Sequence, residues 1–163
     1  MGNNLKSLFP KDKQNDNIRL LKKQKLSLIF DLDETILQTF RHKEKIIHSD
    51  IHYFKIDKIE EWFHLKVRPY LKEFLKHISC YYELHICTMA SRSYAQNVLD
   101  IIDPYKKYFK RHIVTRNELL TSKSKFMNLM IMFPDGTETL VILDDLPRVW
   151  RNMPNVITAK PYQ

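Results

Sequence analysis

The chain has 163 residues, a formal net charge of +8 and 44% hydrophobic residues, which suits one domain with its own core and excludes a chain disordered throughout. No apolar run approaches the roughly 18 residues of a membrane span, and the two cysteines, Cys80 and Cys87, make neither a metal-type pair nor a disulfide scaffold, so a reducing compartment fits. Gly2 and Gly136 are the only glycines, so there is no glycine-rich nucleotide loop, which argues against kinases and dinucleotide enzymes.

Residues 1–24 read as a polar lead-in whose basic run, Lys11, Lys13, Arg19, Lys22, Lys23 and on to Lys25, has the character of a solvated tail. Leu5–Leu8 is too short for a signal peptide, and Lys6 stands where a myristoylation motif wants Ser or Thr. The net positive charge favours an anionic partner: a phosphorylated peptide, a nucleic acid or an acidic protein. No helix-turn-helix, zinc-finger or RNA-recognition pattern accompanies it, so direct nucleic-acid binding is not expected.

The first strand covers 26–31, an apolar run that stops abruptly at Asp31 and is followed by Asp33 and Thr35. Partial alternation in 36–60 suggests a small β-excursion beside that loop, and Trp62–Val67 reads as a strand leading to Arg68. Pro69 opens a helix carrying Tyr70, Leu71, Phe74, Leu75 and Ile78 at helical spacing. Tyr82–Cys87 is a strand ending in Thr88, and both cysteines fall to core packing. A helix over 91–102 precedes Pro104, and His112–Thr115 is a short strand. Residues 124–132 form a helix whose Met-rich face fills the core, and Leu140–Leu143 is a last buried strand ending in Asp144-Asp145. Strand–helix alternation implies an α/β fold: a parallel sheet with helices on both faces, plus a β-insertion after the first strand.

Three strands therefore end in chemically useful residues: Asp31 and Asp33, then Thr88, then Asp144 and Asp145. Parallel strands bring such tips to one sheet edge, where open α/β sheets bind ligands. Two carboxylates two residues apart can divide attack and proton transfer between them. Four carboxylates crowded together need a cation, and hard oxygen ligands suit Mg²⁺. Thr88 offers a hydroxyl and a lysine at 123–125 a positive charge, the donors that phosphoryl transfer wants.

The pattern Asp31-x-Asp33-x-Thr35 after a hydrophobic strand resembles the signature of the haloacid dehalogenase superfamily. Longer stretches resemble the transcription-factor-IIF-associating CTD phosphatase family: Val67-Arg-Pro-Tyr70, Leu84-His-Ile-Cys-Thr-Met-Ala-Ser-Arg-Ser-Tyr-Ala-Gln96, Ile101-Ile-Asp-Pro104, Ile113-Val-Thr-Arg116, Asp144-Asp-x-x-x-Val-Trp150 and Pro154-Asn-Val-Ile157. The likeness covers about 26–162 and implies a haloacid-dehalogenase-like domain over 25–163, without the BRCT module of larger members. It implies an Mg²⁺-dependent phosphatase acting in the nucleus on phosphoserine in the C-terminal repeat of RNA polymerase II, with general transcription factors as further partners and no membrane association. By position, the resemblance makes Asp31 nucleophile and metal ligand. Asp33 becomes acid/base and metal ligand through its carbonyl, and Asp145 completes the metal site with Asp144 beside it. Thr88, Lys125 (or its neighbour Lys123) and Arg68 would hold phosphate, and Thr35, Tyr82 and Asp103 would support. Met89-Ala90-Ser91 departs from the family's usual Met-Gly-Thr. Two other readings stay open: a non-catalytic phosphopeptide-binding or scaffold module of this fold, and a small-molecule phosphatase of the wider superfamily.

Overall fold

The structure, a computed structural model, describes Leu20, Lys23 and residues 25–110, 113–118, 124–134 and 136–163. The rest of the expected lead-in, His112 and Lys123 lie outside the described residues. In chain order the elements are β1 (Leu26–Phe30), β2 (Leu37–His42), β3 (His52–Phe54), β4 (Trp62–Val67), α1 (Leu71–Ile78), β5 (Tyr82–Cys87), α2 (Arg92–Ile102), β6 (Ile113–Val114), a 3₁₀ turn (Arg116–Glu118), α3 (Lys125–Met132), β7 (Leu140–Asp144), a second 3₁₀ turn (Pro147–Trp150) and β8 (Val156–Thr158).

The main sheet has the order β6-β5-β1-β7-β8, and every pairing in it is parallel. β1 sits at its centre because it can be buried on both sides, as its continuous apolar run requires. Leu28 and Phe30 point to one face, where they join Leu71 and Leu75 of α1 and Val98 and Leu99 of α2. Ile29 points to the other face, against Leu129 and Met132 of α3 and Trp150. Phe30 also meets Phe109 and Phe74 edge-on, at 5.8 and 6.2 Å between centroids. The helices thus cover both faces, as the alternation of elements implied.

The β-excursion is a separate antiparallel sheet, β2-β4-β3. Trp62–Val67 is a strand as expected, but it belongs to this insertion and not to the main sheet. The sheet's inner face stacks Phe54 on Phe63 (5.2 Å), and both rings meet Tyr94 of α2. The insertion is thereby packed onto the main body beside the loop that follows β1.

Three expectations need correction, and three short elements are additional. α1 begins at Leu71 and not at Pro69, because Tyr70 is left-handed (φ 63°) and a left-handed residue cannot continue a right-handed helix. Met127 and Met130 face solvent, while Met132 is buried. A short helix that docks through Leu129, Met132 and Phe133 has no inward position left for the other two. Cys80 is exposed, lying in the turn that precedes β5, so only Cys87 packs in the core. β8 and both 3₁₀ turns were not foreseen, since pieces of three or four residues are too short to show a period.

Candidate active site

Asp31 follows the last residue of β1, and its N–H donates to the Leu143 carbonyl at 3.0 Å, extending the ladder with β7. The next turn is closed by N–H groups of Ile36 and Leu37 on the Leu32 carbonyl, at 3.0 and 3.3 Å, with Glu34 left-handed at φ 59°. This tight turn holds Asp31, Asp33 and Thr35 at the tip of the central strand. β7 ends beside it and supplies Asp144 and Asp145. Oxygens of Asp31, Asp144 and Asp145 all lie within 4.8 Å of one another.

Lys125, the first residue of α3, inserts its ammonium between two of these carboxylates. Its Nζ is 2.9 Å from Asp31 Oδ1 and 2.6 Å from Asp144 Oδ2. Burial works against the ammonium, but the two carboxylates outweigh it and hold Lys125 above the ordinary lysine range. Burial pushes the Asp31 carboxyl up to about 7; Lys125 opposes the shift and Asp144 adds to it. A carboxyl raised by burial and held against a specific charged partner is a candidate functional group.

Asp144 is fully buried and saturated. Its Oδ2 accepts from Lys125 and from Trp150 Nε1 (2.8 Å), and its Oδ1 accepts from the Leu146 N–H (2.8 Å). The second 3₁₀ turn explains the spacing between Asp144 and Trp150, since it curls the indole back onto the carboxylate. Asp145 is held differently. Thr35 Oγ1 donates to Asp145 Oδ1 at 2.9 Å and accepts from the Asp145 N–H at 3.0 Å. This reciprocal pair ties the turn after β1 to the end of β7.

Asp33 faces the insertion. Its Oδ1 accepts from the Tyr94 hydroxyl, and from Thr39 Oγ1 at 3.2 Å; Thr39 is also 2.9 Å from the Tyr94 oxygen. Burial raises the Asp33 carboxyl above its ordinary value, and the hydrogen bonds from Tyr94 and Thr39 oppose the rise. Tyr94 and Thr39 are functional neighbours that pattern reasoning missed. Tyr94 read as one apolar position on a helix face, and only its hydroxyl, aimed across to another element, gives it a polar task.

Thr88 lies buried at the end of β5, its N–H on the Val114 carbonyl and its Oγ1 accepting from the Ala90 N–H at 3.1 Å. Thr88 and Lys125 therefore sit on the same sheet edge as the carboxylates. Arg68 lies beside the turn after β1 with its guanidinium on backbone carbonyls, while Tyr82 and Asp103 are placed elsewhere. Arg68 Nη2 donates to the carbonyls of Lys160 (2.5 Å) and Glu34 (3.5 Å), and its guanidinium lies over Tyr162. It straps the C-terminal segment to the loop after β1, a strap completed by the Tyr162 N–H on the Glu34 carbonyl at 2.7 Å. Tyr82 starts β5 at the opposite edge of the sheet. Asp103, at the far end of α2, accepts from the backbone N–H groups of Lys107, Tyr108 and Phe109.

The donor set fits a small divalent cation. Asp31 and Asp145 offer carboxylate oxygens to it; Asp144, whose oxygens are taken by Lys125, Trp150 and the Leu146 N–H, adds its charge beside them, and Asp145 has a hydroxyl and not a cation as its side-chain partner among the described residues. All the convergent ligands are hard oxygens, with no sulfur or imidazole, which suits Mg²⁺ over softer metals.

Residues 26–163 match the family model described as NLI interacting factor-like phosphatase. The chain is 38% identical over 148 residues to a human protein named as a phosphatase of the RNA polymerase II C-terminal domain, covering 90% of this chain and 15% of that protein. The Caenorhabditis elegans protein of the same name is 35% identical over 151 residues, covering 91% and 23%. Among solved structures, Fcp1, titled an essential RNA polymerase II CTD phosphatase, superposes with a TM-score of 0.77 at 32% identity, over 91% of this chain and 45% of that one. The fission yeast Fcp1-R271A structure bound to beryllium fluoride gives 0.76. The chain thus spans less than a quarter of the length of these two curated relatives. Its fold is the haloacid-dehalogenase-like α/β fold that the Asp31-x-Asp33-x-Thr35 signature implied, and the chain belongs to the NLI interacting factor-like phosphatase family.

Proposed function

We propose that the domain over 25–163 is an Mg²⁺-dependent protein phosphatase that hydrolyses phosphoserine in the C-terminal repeat of RNA polymerase II through an aspartyl-phosphate on Asp31. The observation that carries this reading is the convergence of Asp31, Asp144 and Asp145 oxygens within 4.8 Å of one another at one sheet edge, with the Lys125 ammonium between Asp31 and Asp144. The substrate is inferred from the relatives named as RNA polymerase II C-terminal domain phosphatases. It would place the protein in the nucleus, with general transcription factors among its partners.

Each residue has a task in this scheme. Asp31 attacks phosphorus through a carboxylate oxygen, and the bond from phosphorus to the serine oxygen breaks. Asp33 gives the departing oxygen its proton; its Oδ1 is held by Tyr94 and Thr39, which leaves Oδ2 to carry that proton. Asp33, now a carboxylate, takes a proton from water. The water oxygen attacks phosphorus, the acyl-phosphate bond breaks, and inorganic phosphate leaves with Asp31 restored. Lys125 and the Thr88 hydroxyl stabilise the equatorial oxygens while negative charge shifts among them. Asp31, Asp145 and the Asp33 carbonyl would hold a Mg²⁺, which would supply the positive charge that offsets carboxylate repulsion and attracts the phosphate.

The test is phosphate release from a phosphoserine CTD-repeat peptide, with Mg²⁺ or EDTA, for the wild type and Asp31→Asn. Release that needs both Mg²⁺ and Asp31 is expected. Turnover by a folded Asp31→Asn protein would sink the nucleophile assignment. Activity on an aryl phosphate but on no CTD peptide would remove the polymerase substrate.

A further inference from the structure

At the end of α2 remote from Asp31, the buried carboxylate of Asp103 turns into the following loop. It accepts from the N–H groups of Lys107, Tyr108 and Phe109 at 2.8, 2.8 and 2.9 Å, while Lys106 takes a left-handed conformation at φ 50°. The loop is thus anchored from inside, and its lysines stand on a built scaffold. Lys106, Lys107 and Lys110 are all exposed. Among the described residues none of the three pairs with a carboxylate; Lys107 lies over the Tyr108 ring at 5.4 Å.

Between this loop and α2 lies a groove of about 320 Å³, with apolar contributions from Leu99, Phe109 and Ile113 and with Lys106 and Lys110 among its lining residues. Two carboxylates also line it. Asp103 is answered by the three N–H groups, and Asp100 accepts from Gln96 Nε2 at 2.8 Å. With Lys107, the loop and its groove set three ammoniums, unpaired with carboxylates among the described residues, against the two carboxylates, and this excess of positive charge beside apolar side chains complements a phosphorylated side chain on a polypeptide. A nucleic-acid track would need several exposed rings in succession, and this loop shows one, Tyr105, with Tyr108 half-buried.

We propose that this groove is a second, non-catalytic docking site for the phosphorylated polypeptide whose other phosphoserine is being hydrolysed at Asp31. The inference rests on the phosphoprotein-phosphatase reading above. α2 starts at Arg92 beside Thr88 and ends at Ile102 beside the groove. Its 11 residues, at ~1.5 Å each, run roughly 16 Å from Arg92 to the loop that carries Lys106 and Lys110, while the groove itself begins alongside Gln96. An extended polypeptide at ~3.3 Å per residue crosses that distance in about five residues. A substrate with phosphates so spaced engages both ends of α2 at once, and the second contact is favoured by high effective concentration.

The test compares the wild type, Lys106→Gln/Lys110→Gln, and a control with the same charge change on α1, Lys72→Gln/Lys76→Gln. The substrates are an aryl phosphate, a short singly phosphorylated peptide, and a longer peptide with two phosphoserines spaced to reach both sites. The groove variant should keep wild-type rates on the first two, which also shows that it is folded. Its KM for the doubly phosphorylated peptide should rise about five- to tenfold, the sum of two modest charge contacts. The wild type's advantage on that peptide should fade at high salt. An unchanged KM in the groove variant, or an equal rise in the α1 control, overturns the proposal. So does an RNA oligonucleotide that binds through Lys106 and Lys110 as tightly as the doubly phosphorylated peptide does. Peptide binding is also measured in the Asp31→Asn background. If no peptide is hydrolysed, the phosphatase reading falls alone when doubly phosphorylated peptide still needs the groove lysines to bind, and both fall when it does not.

Discussion

Asp31 and Asp33 are chemically identical carboxylates placed two residues apart, and their partners differentiate them. Asp31 looks towards Lys125 and the β7 carboxylates, where charge must be balanced. Asp33 looks towards the hydroxyls of Tyr94 and Thr39, which orient one oxygen and leave the other for the proton transfer proposed for it. Acid–base catalysis of this kind is worth ~10²–10⁴-fold and depends on a fixed geometry. Tyr94→Phe keeps the ring that packs against Phe54 and Phe63 and removes only the hydroxyl. It should lower kcat on an aryl phosphate about tenfold with KM little changed, because it disturbs a group acting in the transition state and not one that binds substrate. Steady-state kinetics on the variant give the answer. A raised KM with unchanged kcat would show that the hydroxyl contacts substrate instead. Lys125 behaves as the counterpart of both its carboxylates. Its buried ammonium is stable only because Asp31 and Asp144 are there, and it cannot be exchanged for an apolar residue without stranding them.

The elements that carry these residues differ in how far their sequences disclose them. β1 and β7 carry short apolar runs, Leu28–Phe30 and Leu140–Leu143, and β5 an apolar set interrupted by Glu83 and His85; each stops at a polar residue, so both the strand and its polar tip are legible. The insertion was visible only as partial alternation, because its outer face mixes aromatic and charged residues and β3 is three residues long. The short 3₁₀ turns have no period at all. Their logic lies in single contacts, such as Trp150 on Asp144, which a linear reading cannot place. The turn Arg116–Glu118 is the clearest case. Glu118 accepts from the Thr115 hydroxyl (2.5 Å) and backbone N–H (2.7 Å), and pairs with Arg92 of α2 at 2.8 Å. Burial pushes the Glu118 carboxyl up, but the Thr115 and Arg92 hydrogen bonds outweigh it and leave the value below the ordinary 4.5. The folded state thus prefers the charged form more than the unfolded chain does. Its stabilisation is complete above about pH 4.5 and is lost as pH falls through the lower folded value. Glu118→Gln should cost about 1–2 kcal/mol in urea unfolding at neutral pH. The difference from wild type should shrink towards pH 3. A cost that stays constant across that range would show that shape, and not charge, is what Glu118 contributes.

At the scale of the whole molecule, the carboxylate cluster joins parts that packing alone leaves on different elements: the turn after β1, the end of β7 and the start of α3. Three acidic side chains converge there on a single ammonium that touches two of them, Asp31 and Asp144, and burial of Asp31 shows in a carboxyl pushed up to about 7. A divalent cation that binds only when these elements are assembled must stabilise the assembly, by an amount set by its concentration relative to its dissociation constant. At a hundredfold excess over that constant the gain is about 2.7 kcal/mol. For a domain of this size that is a rise in melting temperature of roughly 5–10 °C. Mg²⁺ should therefore raise the melting temperature of the wild type over that in EDTA. Asp145→Asn should abolish most of the shift, since it removes a ligand charge while keeping an oxygen opposite Thr35. The measurement needs no substrate, so it separates metal binding from catalysis. Equal melting with and without Mg²⁺ would mean that Lys125 alone balances the cluster. The proposed chemistry would then lack the positive charge needed to bring a phosphate dianion to Asp31.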